Sequence, residues 1–302
     1  MTNETAYSGP PASRKELKER VARVLSENRE YPIPTGGTGA PGVKLEQLVA
    51  IAPRNKDNAD SNGVELKYAS GKALLKLSHL ECDKEPGNPF PMPVMVKAFG
   101  KPDKKGRRSL RDTIFNGKTC LHFQIESKDG WLIVRSRDGK GPSVRWDEGR
   151  LANKLVQKLM RLVLVSGEVY KNKDGVRVVR YTDALYMDEL ISGAAAIKLI
   201  LDGVIALAFD CREDEPGSAA LRNHGTAFRM KLVDLAQVWG KKTVIPALVE
   251  GTKKKKVPKP SLPVGTAVTS EIPAAKILLS TIEPPAKPSR PPKPVQSSFG
   301  FS

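Results

Sequence analysis

Asp60, Glu65 and Lys67 lie within eight positions of one another, in "NADSNGVELKYAS" (residues 58–70). Asn62-Gly63 between them is a strong tight-turn signal, because both residue types accept positive φ. Alternate residues of a strand share a face. Glu65 and Lys67 therefore point one way, while Val64, Leu66 and Tyr68 point the other, with Val64 and Leu66 suited to a core. The turn carries Asp60, on an incoming strand, back beside Glu65. Two adjacent carboxylates repel, and a divalent cation removes the repulsion. Mg²⁺ held by Asp60 and Glu65 would polarise a phosphate oxygen and acidify a bound water, with either one or two ions. Lys67 would stabilise charge on the attacked phosphate or help to orient and deprotonate the water. In-line attack would leave a 5′-phosphate and a 3′-hydroxyl. The competing reading of Glu-x-Lys is a solvated ion pair, which must then explain a turn carboxylate beside it in an apolar setting.

The flanking elements must position this hairpin. "SRKELKERVARVLSENRE" predicts a helix with Ser13 as cap and Leu17, Val21, Val24 and Leu25 on one face. A Pro/Gly-rich loop follows, then a short helix in "VKLEQLVAIA". Residues 64–68 and 73–78 read as strands, and residues 83–113 as a basic, Pro/Gly-rich surface wrap. "HFQIES" and "WLIVRSRDGKGPSVRW" read as further strands with Asp-Gly turns. "DEGRLANKLVQKLMRLVLV" predicts an amphipathic helix with Leu151, Leu155, Leu159 and Leu162 on one face. A hairpin at "YKNKDGVRVVRY", an apolar helix near 187–201 and a strand "VIALAFDCR" complete the body. Three segments result: an N-terminal helical extension (1–30), a main domain (31–250) and a disordered Lys/Pro-rich tail (251–302). The tail holds ten of the 24 prolines and is poor in aromatic residues, so it cannot bury a core.

The charge points to a polyanion. The chain carries +17, with +7 on residues 251–302 and +10 on residues 1–250, so the body is basic without its tail. Cys82, Cys120 and Cys211 are too few and too scattered for a disulfide framework or a Cys-x-x-Cys metal site, which fits a reducing, cytoplasmic setting. His79 and His122 likewise lack metal-ligand spacing. The N-terminus lacks the apolar core of a signal peptide. The most apolar window is interrupted by Lys198 and Asp202, which argues for a buried helix and strand and not a membrane span.

A series of segments in one order, "GTGAPGVKLEQLVAI", "GVELKYAS", "GRRSLRDTI", "DGVIALAFDCR" and "RNHGTAFR", resembles the MvaI/BcnI family of type II restriction endonucleases. These are relatives of the mismatch-repair nicking enzyme MutH within the PD-(D/E)xK superfamily. The resemblance spans roughly residues 30–240 and is most specific in "RNHGTAFR" and "GVELK". It implies an α/β fold, a mixed sheet flanked by helices, with two lobes around a DNA cleft. It implies monomeric, Mg²⁺-dependent cutting of double-stranded DNA in the bacterial cytoplasm, at short, nearly palindromic sites, often of the CCNGG type. It makes Asp60, Glu65 and Lys67 the catalytic set and Glu46 an acidic support to the metal site; a solvated helix glutamate is the other reading of Glu46. "KALLKLSHLECDKEP" follows the family pattern only loosely. A MutH-like nickase and a DNA-binding protein with a decayed site are the rival functions.

Residues suited to reading DNA lie further along. Asp210 and Arg212 sit two apart at the end of an apolar strand, followed by Arg222, His224 and Arg229. Arginine can bond bidentately to guanine, and a carboxylate can accept from cytosine N4. The resemblance favours base contacts over a surface ion pair for Arg212 and Arg229, and offers a DNA contact for His224. Lys104, Lys105, Arg107, Arg108 and Arg111 form a basic cluster able to hold phosphates, or a solvated loop. "GTGAPG" matches a dinucleotide-binding fingerprint but lacks the hydrophobic strand that must precede it. Gln296, Phe299 and Phe301 in "PVQSSFGFS" loosely resemble peptides that dock on bacterial sliding clamps; a solubilising tail that adds non-specific DNA affinity is the other reading.

Overall fold

The computed structural model describes residue 7 and residues 9–52, 59–71, 73–85, 91–117, 122–223 and 225–248. His224, Cys120 and the tail with Gln296, Phe299 and Phe301 lie outside the described residues.

Helix α1 (Arg14–Glu27) begins where Ser13 Oγ accepts from the Glu16 amide, and ends at Asn28 in the left-handed region. Its Leu17, Val21, Val24 and Leu25 are buried as their spacing requires. The two-residue strand β1 (Tyr31–Pro32) leads to α2 (Ala40–Leu48). That helix starts three residues earlier than "VKLEQLVAIA" suggests, because Pro41 in its first turn already has helical φ. The hairpin segment supplies β2 (Glu65–Ala69), followed by β3 (Leu75–His79).

The expected wrap at 83–113 contains regular structure: α3 (Pro91–Phe99), β4 (Lys101–Pro102), β5 (Arg108–Leu110) and the start of β6 (Thr113–Ile114). Prolines are tolerated in a helix's first turn, and Met92, Met95 and Val96 of α3 are buried. A meander follows: β7 (Phe123–Lys128), β8 (Trp131–Ser136) and β9 (Val144–Asp147). Asp147 then caps α4 (Glu148–Leu159).

The helix predicted through residue 165 stops at Leu159, and Leu162 opens β10 (Leu162–Lys171). β-Branched Val163 and Val165 favour the pleated strand, and burial of both strand faces hides the change of period. β10 turns into β11 (Arg177–Leu190), which takes up the first residues of the predicted 187–201 helix; α5 (Gly193–Leu201) begins only after Ser192 caps the Ala195 amide. The remaining strands are β12 (Ile205–Ala208), β13 (Cys211–Glu213), β14 (Leu221–Asn223), β15 (Ala227–Met230) and β16 (Trp239–Val244).

The central mixed sheet runs β1-β11-β10-β2, with β16 also on β11. Its one parallel pair joins β10 to β2, setting Leu162 opposite Glu65 and Leu164 opposite Lys67. The β10–β11 ladder is bulged at Ser166/Gly167, where a side chain on Gly167 would collide with the Arg180 carbonyl. Two apolar cores lie against this sheet. Val64, Leu66, Val163 and Val165 face one, with α1 and α2. Leu162, Leu164 and Ala69 face the other, with α3, α4, α5, β3, β12 and β15. Glu65 and Lys67 alternate with Leu66, so they belong to the α4 side of the sheet. No described helix is long and apolar enough to cross a membrane.

Candidate active site

The predicted turn forms, with Asn62 at φ 49° and Gly63 at φ 71°. The incoming strand is reduced to a single bridge, Ser61 with Val64, closed by two backbone hydrogen bonds of 3.0 and 2.8 Å. Asp60 Oδ2 accepts from the Leu66 amide at 2.8 Å, which leaves its other oxygen available and turns the carboxylate towards β2.

Glu65 is only 3% exposed. Its Oε1 accepts from Lys67 Nζ at 2.6 Å and stands 3.5 Å from Lys158 Nζ; its Oε2 is buried without a hydrogen-bond partner. Burial raises the Glu65 pKa, Asp60 raises it further, and Lys67 and Lys158 oppose the rise. Glu46, on α2, joins the same group. Its pKa is pushed up to about 7, first by burial and then by the charges of Asp60 and Glu65. Three acids and two lysines thus act on one another at the C-terminal end of α4.

Sequence reasoning missed Lys158. It stands on α4 next to the buried Leu159, and only the parallel β2–β10 pairing carries that helix end to Glu65. The link is direct, since the Glu65 amide donates to the Arg161 carbonyl just beyond the helix. Lys76 on β3 was missed as well. Its side chain reaches solvent, yet its pKa is lowered, first by partial desolvation and then by Lys67, Arg229 and Lys158. It therefore senses Lys67, Lys158 and Arg229 together.

A hard divalent cation fits these residues. The donors are carboxylate oxygens, one is buried and unpartnered, and Lys67 and Lys158 offset their mutual repulsion only in part. Among the described residues no three His, Cys, Asp or Glu side chains form a complete cage.

The Glu46 shift sets a pH dependence that can be measured without substrate. A carboxyl whose folded pKa lies above its unfolded value contributes stability at low pH and loses it as pH rises from about 4.5 to about 7. Glu46→Gln should therefore match wild type in urea unfolding near pH 4.5. In EDTA at pH 8 it should exceed wild type by about 1 kcal/mol, discounted for solvent screening of a partly exposed side chain. The same offset at both pH values would remove Glu46 from the acid cluster.

Among the residues predicted to read DNA, β12 ends at Ala208, so Asp210 and Arg212 do not share one continuous strand. Asp210 faces Arg111 at 3.2 Å, and both side chains are substantially exposed. Arg212 and Arg222 are direct cross-strand neighbours on β13 and β14. Arg229, on β15, lies opposite Lys76. The Nε atoms of Arg212 and Arg229 are both buried without a hydrogen-bond partner. Within the basic cluster, Arg107 grips Asp103 at 2.6 and 3.0 Å, and Arg108 Nη1 donates to the Lys97 carbonyl at the end of α3. His79 pairs with Glu81 at 3.4 Å, and Asn223 of "RNHGTAFR" donates to the same carboxylate at 2.9 Å.

The structure resembles that of restriction endonuclease MvaI bound to cognate DNA, with TM-score 0.64, 23% identity, and coverage of 77% of this chain and 99% of that one. MvaI in the absence of DNA aligns at TM-score 0.42 and 21% identity, covering 79% of this chain and 100% of that one. No curated protein sequence matches. The MvaI/BcnI restriction endonuclease family model matches residues 15–239, from the start of α1 to the start of β16, with the hairpin and the reading side both inside it. A match of that extent means that the chain belongs to the MvaI/BcnI restriction endonuclease family, a family of DNA-cutting enzymes.

Proposed function

We propose that the chain is a Mg²⁺-dependent type II restriction endonuclease that hydrolyses phosphodiester bonds in double-stranded DNA at a short site of the CCNGG type, acting as a monomer. The observation that carries this reading is Glu65. It is a buried carboxylate with one oxygen unpartnered and the other held between Lys67 and Lys158. A structural ion pair would not require two further acids to gather beside it, and burying a charge this incompletely satisfied is costly. The arrangement suits a site built for a cation and a phosphate.

Asp60 and Glu65 would hold the cation, with Glu46 as the acidic support beside them. When bound, Mg²⁺ supplies the charge that polarises the scissile phosphate and makes a water acidic enough to attack. Lys67 stabilises the charge that builds on the attacked phosphate and helps to orient the attacking water. Lys158 helps to keep Glu65 ionised despite its burial. Lys76 extends the positive surface towards the reading side, where Arg212 and Arg229 offer donors to guanine edges.

MvaI, in the complex whose fold this chain shares, holds a cognate DNA substrate, which supports DNA as the partner here. The test is conversion of supercoiled plasmid to linear DNA by the purified chain. Linear product in Mg²⁺ and none in EDTA is expected. Cutting that persists in EDTA would contradict the metal assignment.

A further inference from the structure

The acid cluster has a mechanical problem that the sheet solves only in part. Asp60, Glu65 and Glu46 repel one another before any cation arrives. Glu65 is fixed inside β2, but Asp60 precedes an isolated bridge and has no ladder of its own. Its carboxylate has one tie to the sheet, the Leu66 amide on Oδ2, and the backbone that carries it has that single bridge.

A second set of ties holds that turn, and it comes from the segment ahead of α1. Asn62 Nδ2 donates to the Pro11 carbonyl at 2.7 Å, and Arg14 Nε donates to the Asn62 carbonyl at 3.3 Å. Pro11 is buried. The same segment is anchored to α1 by Arg20, only 6% exposed, whose Nη1 donates to the Gly9 carbonyl at 2.7 Å. That atom also donates to the Val49 carbonyl at 2.8 Å, at the end of the helix that carries Glu46. One buried guanidinium therefore joins the strap to the Glu46 helix, and the strap joins to the Asp60 turn. Residues 9–14 lie ahead of the region matched by the family model, so the family likeness does not account for them.

We infer that residues 9–14 form a strap that positions Asp60 against its repulsion from Glu65 and Glu46, with Asn62 as the positioning residue through which it acts. Asn62 touches neither cation nor phosphate; it sets where the Asp60 carboxylate stands. The inference rests on the proposal that Asp60 and Glu65 hold Mg²⁺.

The test is Asn62→Gly, which keeps the turn's positive φ while deleting the donor to Pro11. Arg14→Ala, at an exposed position, removes the other tie and leaves the turn sequence intact. Two readouts are taken against Mg²⁺ concentration: the rate of plasmid cutting, and the rise in melting temperature of the DNA-free protein, which reports cation binding directly. Each variant should need roughly fivefold more Mg²⁺ for half effect in both, the loss expected from one hydrogen bond, while the cutting rate at saturating Mg²⁺ stays within about twofold of wild type. A merely structural role would lower the melting temperature and leave the Mg²⁺ midpoints unchanged, and that result would overturn the inference. Wild type with no Mg²⁺ dependence at all would instead overturn the metal assignment on which it rests.

Discussion

Glu65→Gln should cut DNA about a hundredfold to a thousandfold more slowly than wild type and be at least as stable. Loss of the carboxylate removes a charged cation ligand at the reacting phosphate, and single groups that stabilise charge in such sites are worth about a hundredfold to a thousandfold each. Lys67→Ala should fall by a similar factor, because the ammonium sits 2.6 Å from Glu65 and shares its site. The stability expectation follows from burial. Desolvation and the charge of Asp60 both disfavour ionised Glu65. A neutral amide of the same shape relieves both penalties and can still accept from Lys67, while a polar atom stays unpartnered where Oε2 was. Urea unfolding in EDTA, paired with a single-turnover cleavage assay, checks both halves. Wild-type cutting by either variant would remove that residue from the site, and a dead but unfolded Glu65→Gln protein would make the carboxylate structural.

The second large effect concerns recognition. Arg212→Ala and Arg229→Ala should each weaken binding to the preferred sequence about tenfold to a hundredfold, the worth of one good bidentate base contact of about 1–3 kcal/mol. Binding to unrelated duplex should change by only about twofold, since phosphate contacts carry most non-specific affinity. The warrant is placement and chemistry: Arg212 is the cross-strand neighbour of Arg222, Arg229 lies opposite Lys76, and a guanidinium can donate bidentately to guanine. Arg107 is the internal control. It is already committed to Asp103, so Arg107→Ala should leave sequence preference unchanged. Titrations at fixed salt with a cognate and a scrambled duplex, in Ca²⁺ to prevent cutting, separate the two effects. A uniform loss on both duplexes would assign Arg212 and Arg229 to the phosphate backbone.

The turn and strand that carry Asp60, Glu65 and Lys67 were legible because their signals are local. Asn62-Gly63 dictates the turn, and the two-residue period of a strand puts Glu65 with Lys67 and Leu66 opposite. Ser13 and the Leu17, Val21, Val24 and Leu25 spacing revealed α1 for the same reason. Lys158 was not legible, because it reaches Glu65 only through the parallel pairing of β2 with a strand far along the chain. Helix α3 was hidden by its prolines, which are helix-compatible only in the first turn. The α4–β10 boundary was hidden because a strand buried on both faces shows no alternation. For DNA reading, the family resemblance, added to residue type, suggested Arg212 and Arg229. The pairing of Asp210 with Arg111, and the commitment of Arg108 to the Lys97 carbonyl, depend on how β5 packs beside β13 and α3.

The most direct measurement is digestion of an unmethylated plasmid by the purified protein, with Mg²⁺ and with EDTA, followed by sequencing of the product ends. The account predicts discrete fragments only in Mg²⁺, with one short, nearly palindromic sequence shared by all ends and a phosphate on each 5′ terminus. Nicked circles alone would favour a MutH-like strand-nicking enzyme. Intact plasmid in Mg²⁺, from a protein that still binds duplex DNA, would contradict the account and make the Asp60, Glu65 and Lys67 cluster a relic.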